Sequence, residues 1–237
     1  MSAPGSSGGP RRIGTPPPQP PRVVPKEPTP RGFAVALAIL GLTIAQLILA
    51  TLAPSVPQFH GALFYARLIC YPVLMIATPA VWWVARRRVG GTRPMPWAGF
   101  ALIMLPFLID VSANAVDAYN SVSWWHPMIQ YVDWFLLGLG AGILLLRGAI
   151  RQPWVLGLLV TGIGAVLAIG WEIGHWYALV RGGGAADAAY ANTLTDETLA
   201  TLGATTAGVV FWIWRARVSR RRPRTGGDAP HLRIVKN

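Results

Sequence analysis

Residues 154–176 read WVLGLLVTGIGAVLAIGWEIGHW. No charged side chain interrupts the run until Glu172. A helix rises about 1.5 Å per residue, so a helix over this stretch crosses a hydrocarbon core of about 30 Å. The run decides the class: all-α and embedded in a membrane. It ends on a carboxylate and an imidazole, Glu172 and His175, three residues apart and so on one helix face. Ionisable groups at such a depth are costly, which makes this pair a candidate for function.

The rest of the chain agrees with that class. Of its 237 residues, 53% are hydrophobic and 13% charged, and the mean hydropathy is +0.43. A soluble globular domain carries about a quarter charged residues. The single cysteine, Cys70, lies in an apolar run, which excludes a disulfide framework and a thiolate metal cluster. The length predicts one domain with tails.

About six spans are expected. They cover approximately residues 33–52, 62–84, 97–118, 129–146, 154–180 and 194–214. Pro72 and Pro79 fall inside the second and Pro106 inside the third, where each removes a helical amide hydrogen bond and should kink the chain. The sixth is the least apolar, with Thr195, Thr198, Thr201, Thr205 and Thr206. The domain reading is a Pro- and Gly-rich disordered tail over residues 1–30, a six-helix transmembrane domain over 31–215 and a basic tail over 216–237. The first apolar run begins only at Phe33 and is long enough to span, so the amino-terminal segment does not read as a cleavable signal peptide.

Charge sets the orientation. With the amino terminus inside, all of the 21 Lys and Arg residues except Arg67 and Arg181 fall on the inner side. This positive-inside pattern predicts an even number of spans and both termini in the cytoplasm. The net charge of +12 therefore reads as topology and contact with anionic lipid rather than nucleic-acid binding. The partners implied are membrane lipid and a protein partner or second copy, with no nucleic acid. Trp82, Trp83, Trp97, Trp154, Trp212 and Trp214 near the inner face, and Trp124, Trp125, Trp171 and Trp176 near the outer, form aromatic belts.

The acids do the opposite. Apart from Glu27 and Asp228 in the tails, every Asp and Glu lies in the outer half or the outer loops. Counting helical rise from the inner ends, Asp110 lies roughly 20 Å up, Asp133 roughly 21 Å, Gln46 roughly 22 Å, Glu172 roughly 27 Å and Asp196 roughly 28 Å. Asp110, Asn114 and Asp117 are spaced i, i+4, i+7, on one face of a continuous helix. Gly170 and Gly174, and likewise Gly138 and Gly142, would let neighbouring helices approach. His126, in the loop before the fourth span, could roof a cavity open to the outside. The candidate catalytic residues are Asp110, Asp133, Glu172 and His175. The candidate binding residues are Asn114, Asp117, His126, Asp196 and Arg67. A divalent metal, if one binds, would be held by Asp110, Glu172 and His175.

The order Asp110-x3-Asn114, Tyr119, Tyr131-Val132-Asp133, Trp171-Glu172, Thr193-Leu194-Thr195-Asp196 and Thr201-Leu202-Gly203-Ala204-x3-Gly208 resembles the YjdF-like bacterial inner-membrane proteins and, distantly, the VanZ-like proteins. The resemblance covers roughly residues 35–214. It departs from the pattern where Trp134 and Leu137 stand for a Lys and a His, where His175 replaces a second acid, and where Asn192 replaces an Asp. It implies a multi-pass helical protein of the bacterial cytoplasmic (inner) membrane without an assigned activity. Three functions stay open: a membrane hydrolase or transferase on a lipid-linked substrate, a small transporter, and an accessory protein that binds a partner. No His-Glu-x-x-His and no Gly-x-Ser-x-Gly is present.

Overall fold

The computed structural model describes residues 30–53, 55–56, 59, 64–88, 90, 94–147, 150, 152–176 and 186–221. Every regular element among these residues is an α-helix: α1 (Pro30–Leu52), α2 (Phe64–Arg88), α3 (Trp97–Ala115), α4 (Ala118–Ser121), α5 (Trp125–Leu146), α6 (Pro153–His175) and α7 (Ala186–Arg221). Five of them, α1, α2, α3, α5 and α6, are long and apolar enough to cross a membrane. Residues 1–29 of the expected disordered tail lie outside the described residues, as does the end of the basic tail, and Pro30 begins α1. The start of that tail, Ala216–Arg221, continues α7 as helix.

Helix starts and interruptions follow local chemistry. α6 begins with Pro153 in its first turn, where no intrahelical N–H bond is lost. α5 likewise carries Pro127 in its first turn. Pro72 and Pro79 do lie inside α2, and Pro106 inside α3. The hydroxyls of Thr43, Thr51, Thr198 and Thr206 donate to carbonyls four residues back, so these polar groups are satisfied within their own helices.

Contacts between named residues fix the helix directions. α1 and α3 are parallel: Phe33 packs on Trp97 at their starts, and Ser112 Oγ donates to Gln46 Oε1 at 3.0 Å further along. α2 is antiparallel to α3, since Arg67 meets Asp110 and Trp82 meets Phe100. α5 and α7 run parallel, with Gly138 against Ala207 and Gly142 against Phe211. α6 is antiparallel to α7, with Gly157 against Gly208 and Gly164 against Ala204. Gly99 on α3 meets Gly140 on α5 and joins the two halves.

The two halves are built differently. α1, α2 and α3 bury Ala36, Met75, Phe100 and Met104 at one end and Leu47, Phe64, Tyr71 and Val111 at the other. α5, α6 and α7 bury Leu156, Val160, Ala207 and Phe211 and approach one another closely at small residues. A methyl at Gly138 would lie 2.7 Å from Ala207 Cβ, and one at Gly208 would lie 2.6 Å from the Gly157 carbonyl oxygen. Close approach through small residues suits a bilayer, where apolar side chains gain little by leaving lipid. Gly138 and Gly142 serve that purpose as expected. Gly170 and Gly174 do not among the described residues, none of which lies within 4 Å of a methyl built at either.

Candidate functional site

Helix directions place the described arginines Arg31, Arg86, Arg87, Arg88, Arg147, Arg215 and Arg217 at one end of the bundle. Asp110, Asp133, Glu172, Asp196 and Glu197 lie toward the other, with Arg67. Within that layer the acids form two groups.

The first is centred on Asp110. Its Oδ2 accepts from Arg67 Nη1 at 2.8 Å and from the Tyr71 hydroxyl at 2.7 Å. Its Oδ1 accepts from the Tyr119 hydroxyl at 2.9 Å and from Asn114 Nδ2 at 3.4 Å. Asn114 Nδ2 also donates to the Asp110 carbonyl at 2.8 Å. Four side chains from three helices thus converge on one carboxylate. Arg67 is steadied further by the Phe64 and Tyr71 rings, 5.5 Å and 5.9 Å from its guanidinium carbon. Asp133, on α5, lies close enough to interact electrostatically with Asp110 and Tyr119, yet its Oδ1 is sealed from solvent and accepts no hydrogen bond. Burial and the neighbouring Asp110 carboxylate push the Tyr119 hydroxyl, in the turn between spans, well above the ordinary phenol range.

The second group lies where α6 meets α7. Glu172 is 9% exposed and Asp196 8%. Glu172 has Asp196 and Glu197 as electrostatic neighbours and no hydrogen-bond donor among the described residues. Glu197 Oε1 accepts weakly from Thr201 Oγ1 at 3.4 Å, and its Oε2 is sealed without a partner. His126 Nε2 stands 3.5 Å from Asp196 Oδ2, and the His126 ring packs edge-on against Tyr119 at 6.3 Å. His126 thereby bridges the two groups.

Several sequence expectations change. Asp117 does not share a helix face with Asp110 and Asn114. It takes a left-handed conformation, φ 57°, which ends α3, and it accepts from Asn120 Nδ2 at 2.7 Å on the surface. His126 lies in the first turn of α5 rather than in a loop. Asp110 and Glu172 belong to different groups, and among the described residues no three His, Cys, Asp or Glu side chains gather as a metal would require. The side chain of His175 lies outside the described residues. Tyr71 and Glu197 were not singled out from sequence. Tyr71 carried a signal, since it follows Arg67 by one helical turn and shares its face.

Compared with protein families, with curated proteins and with solved structures, the chain gives no match.

Proposed function

We propose that the chain is a six-span protein of the bacterial cytoplasmic membrane, with both termini on the cytoplasmic side. It binds a monovalent cation, or the cationic group of an envelope substrate, at Glu172, with Asp196 and Glu197 as neighbouring carboxylates and not as a three-ligand metal cluster. Glu172 carries the reading: it is nine-tenths covered, has no donor among the described residues, and has two further carboxylates as its electrostatic neighbours. A covered carboxylate with no donor among the described residues and two carboxylates beside it calls for a compensating proton or cation. Intramembrane acids of this kind mark ion and substrate sites.

The gathering of arginines at one end of the bundle supports the orientation. α7 supports the sixth span, since it lies along both α5 and α6 and satisfies Thr198 and Thr206 internally. The motif order from Asp110 to Gly208 supports a relation to the YjdF-like membrane proteins.

The test uses the full chain in nanodiscs of zwitterionic lipid, titrated with sodium, potassium and ethylammonium and followed by calorimetry and thermal melting. At least one cation is expected to bind saturably, with affinity about tenfold lower in Glu172→Gln, a change of about 1.4 kcal/mol. Absence of binding by all three, or unchanged affinity in a folded Glu172→Gln variant, would overturn the reading.

A further inference from the structure

α2 is the least covered of the five apolar helices: only 11% of its most apolar window is buried within the protein. It packs against α1 and α3 and turns the rest of its surface outward. One row of that surface is continuous. Val73, Ile76, Ala80, Trp83 and Arg87 recur every three or four residues, on one helix face, and all five are exposed. The row is apolar for its whole length and ends in a cation. It spans about 21 Å, enough to lie beside an acyl chain in one leaflet and reach its headgroup.

The cation is held in place. The Arg87 guanidinium carbon lies 3.6 Å from the centroid of the Trp83 ring. A guanidinium stacked on an indole is attracted by the ring face and loses side-chain freedom before any ligand arrives. No described side chain takes its edge, which can donate two parallel hydrogen bonds to a phosphate. Tryptophan is favoured at the level of lipid headgroups for its amphipathic ring.

We propose that Trp83 and Arg87 form a binding site for an anionic phospholipid, with its phosphate on Arg87, its glycerol region against Trp83 and one acyl chain along Ala80, Ile76 and Val73. The choice of occupant rests on charge complementarity at the end of the row and on the apolar surface continuous with it. A soluble anion would use the cation and leave the row unused. A protein helix would need a carboxylate placed at the same level and would displace lipid without the hydrophobic gain that drives association in water.

The test compares phosphatidylglycerol with phosphatidylcholine of the same acyl chains, added to the full chain in detergent, with bound lipids counted by native mass spectrometry. Phosphatidylglycerol is expected to bind more tightly. Arg87→Gln should weaken it about fivefold, the effect of one basic residue near an anionic lipid. Trp83→Leu should also weaken it, because the charge survives without its support. Arg217→Gln, exposed at the same end of the bundle on α7, should leave it unchanged. Equal losses in Arg87→Gln and Arg217→Gln would show a diffuse basic field instead of a site. Wild-type affinity in both Arg87→Gln and Trp83→Leu would overturn the proposal as well.

Discussion

Arg67 of α2 and Asp110 of α3 form an ion pair of 2.8 Å, with side chains only 26% and 18% exposed. The same carboxylate accepts from Tyr71, Asn114 and Tyr119. Asp110 therefore acts as a staple that holds α2, α3 and α4 together. Its lone pairs are already engaged, which distinguishes it from Glu172, to which no donor among the described residues is directed.

Removing the charge of Asp110 should be costly for this reason. Asp110→Asn leaves Arg67 without its counter-ion in an apolar layer and is expected to lower stability by about 3 kcal/mol. Arg67→Met leaves the carboxylate with the two tyrosines and Asn114 and should cost less. The double variant should cost less than the sum of the two, with a coupling of about 1–3 kcal/mol. Unfolding of the purified protein in mixed micelles measures all three. Additive losses would show that the pair contributes nothing as a pair.

The glycines of the bundle are expected to divide sharply. A methyl at Gly203 would run into the Tyr131 carbonyl oxygen and stand 2.9 Å from the Phe135 amide nitrogen, both backbone atoms that yield only if the helices separate. Gly203→Ala should destabilise by about 2–3 kcal/mol. A methyl at Gly162 meets no described residue within 4 Å. Gly162→Ala should be neutral or stabilise by up to about 1 kcal/mol, since alanine is the better helix former. Thermal melting of the two variants side by side tests the contrast. A Gly203→Ala protein that melts with the wild type would show that α5 and α7 are less closely seated.

Tyr119 gives a pH dependence outside the spans. Its hydroxyl is raised by burial and by the Asp110 carboxylate, so the folded chain favours the neutral phenol. Its contribution is fully present below the unfolded phenol value of about 10 and is lost as pH climbs through the higher folded value. Stability should therefore fall on the alkaline side, and Tyr119→Phe should fall less steeply there. At neutral pH the same variant loses one hydrogen bond to a carboxylate, at a cost of about 1.5–3 kcal/mol. Ultraviolet phenolate absorbance, followed with pH in the wild type and in Tyr119→Phe, isolates this group. Ionisation of Tyr119 at an ordinary phenol pH would refute the assignment.

Apolar length was enough to locate the long helices. α1 and α5 end where they were expected to, at Leu52 and Leu146, and α3 begins at Trp97 as expected. Matched depth was legible, because helical rise converts residue count into height; that Asp110 neighbours Asp133, and Glu172 neighbours Asp196, was not. The end of α3 was not legible. A spacing of i, i+4, i+7 describes one face only while the helix continues, and Asp117 breaks it by turning left-handed.

The sequence by itself determined that this chain is helical and largely apolar, with its basic and acidic residues gathered toward opposite ends. Those properties follow from composition and from distance along a helix. Only the tertiary structure decided which helix faces which, and so which acids find donors. Asp110 is neutralised by an arginine 43 residues away, and Gly203 and Gly208 are crowded while no described residue covers Gly170 or Gly174. Height along a span is a one-dimensional quantity that residue counting supplies. The azimuth of each helix about its own axis is set by how all the side chains and backbones pack at once, and no single stretch of sequence contains it.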